Sequence, residues 1–411
     1  MANLCIFEDS GYQKLFPLCL MRPVFEIKCG ISTLLQKILH SYLSVEKDIA
    51  VSLECREYLQ EVVKNNHHEK PVNALPYAND CLFINGRVLA DINLSRQIPF
   101  SGNDEIFVAG STVVAARLSK DNLNKLRDHL GKETFEETLL SLKKYAKTTS
   151  IDIKTIDYPW QLIKENPSEI ENDYQKLWGK GKIKGKLNKE VVIYDKKNVV
   201  IEDGAKIESF VVIDSSNGPV IINEGAHILP HTTIQGPAYI GKNTKILGGS
   251  IRGGTTIGPN CKIHGEVNSS IIHGYSNKAH YGFLGHSYLC EWVNLGAGTT
   301  NSNLKNNYGN VKIWNKGNLI DSGEQVIGCF IGDHSKTAIG TLLNTGTVIS
   351  IFCNIFEGMP PKYVGLFAFG LKKKFNLDKA IEIAKVVMKR RGIEITAEDT
   401  NLIKLLYSFK T

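Results

Sequence analysis

Between about Ile201 and Glu357 an aliphatic residue returns at every sixth position. Ile222, Ile228, Ile234, Ile240 and Ile246 make an unbroken run, and Ile257 and Ile263 resume it after one slip. Near the end, Ile331, Thr337, Leu343, Ile349 and Ile355 keep the same step. Six is a multiple of the strand period of two, so such residues share one side of an extended chain. A helix of 3.6 residues per turn would scatter them around its circumference. Glycines recur beside the ladder (Ile240-Gly241, Ile257-Gly258, Leu295-Gly296, Ile331-Gly332), where a tight bend needs backbone freedom. A sandwich of scattered strands would give spacings that vary from strand to strand. The constant step predicts a parallel β-helix, short strands stacked coil on coil, over residues 201–360.

The first 145 residues follow a different pattern. Leu4–Phe7, Ile49–Leu53, Leu82–Ile84 and Ile106–Val108 read as strands. Ile31, Leu34, Leu35, Ile38, Leu39 and Tyr42 recur at helical spacing, and a second helix runs from Cys55 to about Asn65. This α/β alternation predicts a Rossmann-like parallel sheet covered on both faces, with ligands past the carboxyl ends of its strands. Glu8-Asp9-Ser10 follows one such end and Asn85-Gly86-Arg87 the other, with Arg22-Pro23 and Asp91 nearby. An arginine there can grip a phosphate with two donors, or it can form an ordinary ion pair.

Residues 146–200 read as a connecting segment. A helix is expected from Tyr158 to about Lys164, and the alternating glycines and lysines of Gly179–Lys186 suggest a flexible, solvated linker. The β-helix shows two interruptions. Gly265–Leu284 carries Glu266, Asn268, His273, Asn277, Lys278 and His280; Asn301–Ser322 is a polar insertion too long for a coil corner. Residues 361–411 form a basic helical tail. Leu377, Ala380, Ile381, Ala384, Val387 and Met388 share a helical face that ends near Arg390-Arg391-Gly392, and Thr396–Asp399 resembles a second helix start. These helices either cap the β-helix or give Lys372, Lys373 and Lys374 to the phosphates of coenzyme A.

Composition narrows the function classes. A chain of 411 residues, 42% hydrophobic and 22% charged, is long enough for about two or three folded domains and argues against disorder. No apolar run reaches membrane-spanning length. The nine cysteines are scattered without a CxxC pair, which suggests reduced thiols and a cytoplasmic setting. Of the net charge of +7, residues 371–411 supply five, with ten Lys+Arg against five Asp+Glu. No stripe of basic and aromatic residues accompanies them, so small anions are expected as partners rather than nucleic acid.

Two resemblances add to this reading. Pro17-Leu18 and Arg22-Pro23 after the first strand resemble the opening of sugar-phosphate nucleotidyltransferases. That resemblance implies binding of UTP or another nucleotide triphosphate by Arg22, Asn85, Gly86 and Arg87, with Mg²⁺ for nucleotidyl transfer. Glu8-Asp9-Ser10-Gly11 stands where the family has a Gly-rich loop, and Arg87 follows Gly86 where it has a metal-binding aspartate, so the metal ligands stay unassigned.

The second resemblance lies in the β-helix. Glu266, Ser276-Asn277-Lys278-Ala279-His280, Asn294-Leu295-Gly296-Ala297-Gly298-Thr299 and Asn303 are similar to the acetyltransferase half of the bifunctional glucosamine-1-phosphate N-acetyltransferase/N-acetylglucosamine-1-phosphate uridylyltransferases. Separations of fourteen, fourteen and nine between Glu266, His280, Asn294 and Asn303 match that family without a gap. The resemblance implies a left-handed β-helix and a homotrimer with the acyl site between neighbouring copies. It also implies His280 as general base, Glu266, Asn294 and Asn303 at the sugar and acetyl group, and Ala297 with Gly298 at acetyl-CoA. Phe283 replaces the family's phosphate-binding tyrosine and Asn268 its lysine, and Arg252 is only close to the usual arginine. Phosphate recognition is therefore expected on Lys278, Lys305 and Tyr308. The chemistry also stands without the family. An amine attacking a thioester must lose a proton, which histidine can accept, and a Gly-Ala-Gly turn offers a backbone N–H to the oxyanion. The expected function is synthesis of UDP-N-acetylglucosamine from a sugar 1-phosphate. The alternatives are an acetyltransferase with an inactive nucleotide-binding domain, or a nucleotidyltransferase with a structural β-helix.

Overall fold

The computed structural model describes residues 2–75 and 79–409. They form two units. One comprises the chain up to Leu15, Met21–Ile27 and Ser32–Tyr158; the other comprises Phe16–Leu20, Lys28–Ile31 and the chain from Pro159 onward.

The first unit is built on a six-stranded sheet. Its strands are β1 (Ala2–Phe7), β2 (Ile49–Glu54), β3 (Asp80–Asn85), β4 (Glu105–Ala109), β5 (Thr112–Ser119) and β6 (Lys147–Ser150). They lie in the order β2-β1-β3-β5-β4-β6. Central β1 is parallel to both neighbours, with Ile6 opposite Leu53 and Ile84. The sheet is mixed rather than all-parallel. Strand β5 runs antiparallel to β3 and β4 because Gly110, at φ +60°, lets β4 turn straight back on itself. Pairing of β6 with β4 carries the sheet past residue 145, the expected boundary.

Alternation along β1 puts Cys5 and Phe7 on a face closed by Phe83, Ile106, Leu126 and Phe135. Helices α1 (Leu34–Leu43), α2 (Gln60–Asn66), α3 (Lys120–Arg127) and α4 (Phe135–Ser141) accompany the sheet. Thr33 and Gln36 close a capping box at the start of α1, which buries Leu34, Leu35, Ile38 and Tyr42.

The second unit is a parallel β-solenoid. One wall is a ten-stranded sheet that runs from Lys182–Ile183 to Tyr363–Val364. Ile201, Ile222, Ile240 and Ile257 stack in register down this wall. Ile207, Ile228, Ile246 and Ile263 stack on the second wall, and Ile213, Ile234, Ile251 and Val267 on the third. Each step of six thus carries the ladder from one wall to the next. All these side chains meet in one core cluster, where a fully buried aliphatic side chain contributes roughly 1.5–3 kcal/mol.

Three expectations for this unit need correction. The run 179–186 is not a flexible linker. Lys182–Ile183 and Lys186–Leu187 already pair with the next coil, and a Cβ on Gly185 would lie 2.6 Å from Ile201 Cγ2. Its glycines serve close packing. Next, the helix from Pro159 continues through Pro167 to Leu177 as α5, well past Lys164. Its Asn166 accepts from Gly30 N (2.7 Å) and donates to Gly254 O (2.8 Å), and Asp173 accepts from Ile31 N (2.8 Å). Those bonds tie α5 to the first wall. Finally, the insertion after Asn301 has structure of its own. Lys312–Asn315 and Asn318–Asp321 form an antiparallel hairpin, with Trp314 stacked on Tyr363 at 3.5 Å between ring centroids.

At the far end lie α6 (Leu377–Lys389) and α7 (Ala397–Ser408). Asp399 completes the capping box with Thr396, as its position suggested. Tyr275, Trp292, His334, Phe352 and Phe367 occupy one corner of successive coils at φ between +52° and +62°. Their rings stack in series, and Tyr407 of α7 closes the column against Phe367 at 4.9 Å. All nine cysteines are buried thiols outside any disulfide, and no described helix is long and apolar enough to cross a membrane.

Candidate functional site

In the first unit, the carboxyl ends of β1, β2 and β3 gather Glu8, Asp9, Glu54, Asn85 and Arg87, all buried. Arg87 Nε and Nη2 grip Asp9 Oδ1 (2.6 Å) and Oδ2 (2.5 Å), and Nη1 pairs with Asp157. Burial lowers the Arg87 pKa, but the two carboxylates outweigh it and the net shift is upward. Asn85 donates to Asp9 and to Val113 O, and accepts from Arg87 N. A Cβ on Gly86 would lie 2.9 Å from Phe25 Cβ. Asn85, Gly86 and Arg87, expected to hold nucleotide, are therefore occupied by the protein itself. Arg22 is also buried, and its carbonyl accepts from Arg56.

Alongside, Arg56 pairs with Glu8 at 3.3 Å and lies over the Tyr12 ring at 4.1 Å. Burial, with Glu8 next in effect, pushes the Glu54 carboxyl up to about 8. These acids do not fit a magnesium site. Both oxygens of Asp9 are spent on Arg87, and no group of three His, Cys, Asp or Glu able to hold a metal occurs among the described residues.

In the solenoid the candidate residues fall on two walls and the corner between them. Glu266 stands opposite Phe283 on the third wall and pairs with Arg252 at 2.8 Å. The Phe283 ring covers Gly285 beside Asn303, whose Nδ2 meets His286 Nδ1 at 2.9 Å. His280 is exposed at the corner between the second and third walls. One coil on, Gly296-Ala297-Gly298 turns the same corner, where Gly298 N donates to Tyr281 O (3.2 Å) and Ala297 O accepts from Gly340 N (2.8 Å). Asn294 lies around the corner on the second wall, against Asn277 at 3.3 Å. A single chain thus brings Glu266, Phe283 and Asn303 to one wall and places Asn294 on another.

Lys278 is the residue whose setting was misread. Ile272, Lys278 and Leu284 are six apart, so the ladder continues through the supposed break, and Lys278 takes a core position opposite Ile263. Only 2% exposed, its Nζ donates to His264 O (2.9 Å) and His280 O (3.1 Å), and burial lowers its pKa to about 8. It holds the turn that carries His280 and cannot reach a phosphate outside. Lys305 is likewise engaged, its ammonium bonded to Asn310 O, while Tyr308 is exposed on the insertion. The sequence reading also missed Glu54, the last residue of β2, and Arg56 two positions on, although the topology rule points to that strand end.

A mixed sheet domain followed by a parallel solenoid on six-residue steps defines the architecture. Residues 4–181 match the family described as sugar nucleotidyl transferase. The chain is 31% identical over 217 residues to the bifunctional sugar-1-phosphate nucleotidylyltransferase/acetyltransferase of Sulfurisphaera tokodaii, covering 50% of this chain and 47% of that protein. It is 30% identical over 135 residues to the bifunctional protein GlmU of Rippkaea orientalis, covering 28% and 30%. To the uncharacterized acetyltransferase YaiX of Escherichia coli O6:K15:H31 it is 30% identical over 167 residues, 40% of this chain and 72% of that protein. The chain belongs to the family of that uncharacterized acetyltransferase, 72% of which it covers. It spans about half the length of the first relative and less than a third of the second.

Proposed function

We propose that the solenoid half transfers the acetyl group of acetyl-CoA to the amine of a sugar 1-phosphate, glucosamine 1-phosphate, with His280 as general base. The amine attacks the thioester carbonyl carbon, the C–N bond forms, and the amine proton passes to His280. The C–S bond then breaks, and the coenzyme thiolate leaves and takes up a proton. In the Gly296-Ala297-Gly298 turn the Ala297 N–H is the group suited to the oxyanion, since Gly296 N and Gly298 N donate to Thr337 O and Tyr281 O. The reading is supported above all by one arrangement: an exposed histidine at a corner braced by Lys278, with Glu266 on the adjoining wall. Exposure of His280 in the single chain accords with a site enclosed by a second copy in a homotrimer. Light scattering that gave a monomer mass at micromolar concentration would remove that part.

In the fuller version of this proposal, the N-terminal half joins the acetylated sugar phosphate to UTP. The self-occupied network of Asn85, Gly86 and Arg87 favours a second reading, in which this unit only binds nucleotide or supports the solenoid. Separate calorimetric titrations with acetyl-CoA and UTP, and an assay of pyrophosphate release, distinguish the two. Release of pyrophosphate from UTP, lost in Arg22→Ala while acetyl transfer persists, supports the bifunctional version. No release with any nucleotide triphosphate leaves the acetyltransferase alone. Failure to bind acetyl-CoA would refute both.

A further inference from the structure

The second wall of the solenoid and the end of α6 enclose a cavity of about 320 Å³. Lys262 and Lys336 enter it from the wall, and Arg390 and Arg391 from just past the last turn of α6. Asn277 and Asn294 add neutral amides, and none of the lining residues is acidic. The stacked rings of Tyr275 and Trp292, 4.5 Å apart, form an apolar side. None of the four cations makes an ion pair among the described residues; Arg391 donates to Asn277 Oδ1 (2.7 Å) and Lys336 to His334 O (2.9 Å). Four like charges around one cavity repel each other, which a bound anion would relieve.

We propose that this cavity binds a phosphate or diphosphate group of a small-molecule ligand, held by Lys262, Lys336, Arg390 and Arg391. Arginine offers a planar fork to phosphate oxygens and lysine a point charge, so two of each can surround a diphosphate. Electrostatics support the geometry. Arg391 is the first cause, ahead of burial, of the lowered pKa of Lys262, and burial lowers Lys336 to about 8. The cavity also meets a need left open near the His280 corner, where Lys278 and Lys305 are engaged by backbone carbonyls. The tail lysines compete less well, since Lys374 is bonded to Tyr407 O at 2.7 Å and lies over the Tyr407 ring. The cation set does not depend on the acetyl-transfer reading, because none of the four bonds to His280.

The test is calorimetric titration of the full chain with inorganic pyrophosphate, then with coenzyme A, UTP and glucosamine 1-phosphate. Pyrophosphate should bind, and bind more weakly as salt rises. The Arg390→Gln/Arg391→Gln double variant should lose about tenfold or more in affinity. Lys262→Gln, on the wall and not on the helix, should lose affinity as well with an unchanged Tm. Tighter binding of coenzyme A than of pyrophosphate, lost in the same variants, makes the cofactor the source of the phosphate. The same result with UTP or glucosamine 1-phosphate makes it the substrate. Absence of pyrophosphate binding at millimolar concentration, or equal affinity in all three proteins, overturns the proposal. Loss in the helix variant alone also overturns it, since that reports only an undocked α6.

Discussion

Arg87 in the sheet unit and Lys278 in the solenoid are both buried cations, and their surroundings could hardly differ more. Arg87 meets two carboxylates and a neighbouring amide network, so the charge is neutralised where it sits. Among the described residues Lys278 meets two carbonyl oxygens and no carboxylate. A charge compensated from within can be explained by folding alone. A charge left uncompensated in a hydrophobic ladder costs stability, and such costs persist where a local geometry is needed. By that criterion the site we propose belongs at the corner carrying His280 rather than at the sheet edge. The cation cavity beneath α6 falls on the same side, since its charges too have no carboxylate partner among the described residues.

Removing the chemistry at the corner should have the largest effect. General-base catalysis is worth about 10²–10⁴-fold, so His280→Ala should lower kcat for acetyl transfer by that order, with KM for acetyl-CoA little changed. Tm should match wild type, because His280 is exposed in the single chain, and the oligomeric state is measured alongside. A folded, fully active variant would mean that the base lies elsewhere. The corresponding change at the sheet edge should unfold rather than inactivate. Arg87→Met leaves Asp9 buried without its partner, which typically costs about 3–5 kcal/mol. Urea denaturation should show that loss in the sheet unit. An unchanged midpoint would mean that Asp9 does not depend on Arg87.

The same contrast governs what could be read from the sequence. The solenoid was legible because its coils repeat one physical demand, an inward aliphatic residue about every six positions, which the unbroken run Ile222 to Ile246 shows most plainly. The reading faltered where a polar residue met that demand. Lys278 lies midway between Ile272 and Leu284 on the step of six, yet its charge made the position look like a break. Asn85, Gly86 and Arg87 lie at the carboxyl end of β3, where the strand pattern put them. Their role could not be read there, since Arg87 looks alike on paper whether it holds a phosphate or Asp9. Asp157, which helps decide the matter, is seventy residues away. Likewise, nothing in the spacing of Lys262, Lys336 and Arg391 announces that they share a cavity.

Replacing Lys278 by methionine tests whether its burial serves position rather than stability. In the folded state its pKa is lowered to about 8 from the usual lysine value of 10.5. Below pH 8 the lysine is charged in both states, and its burial opposes folding by on the order of 3 kcal/mol. Between pH 8 and 10.5 the unfolded chain holds more protons, so stability should rise with pH across that window. Lys278→Met should raise Tm at pH 7 and flatten this rise. It also removes the donor to His280 O, so kcat should fall although the protein is more stable. A purely structural lysine would give the higher Tm without the fall.

The smallest expected effect is at the insertion, which stands between the two cases because its hairpin is ordered but outside the core. The Trp314–Tyr363 stack, with rings 10° from parallel, fixes the hairpin to the last coils, and Lys362 adds a bond to Lys312 O at 3.0 Å. Such a ring pair is worth about 0.5–1.5 kcal/mol beyond the area it buries. Trp314→Ala should therefore leave global Tm nearly unchanged while hydrogen exchange quickens at residues 312–321. If Tyr308 and Lys305, on the same insertion, touch the sugar phosphate, loosening it should raise KM for that substrate with kcat nearly constant. Faster exchange with an unchanged KM would confine the insertion to architecture, beside Arg87. A fall in kcat with KM held would instead tie the insertion to the His280 corner.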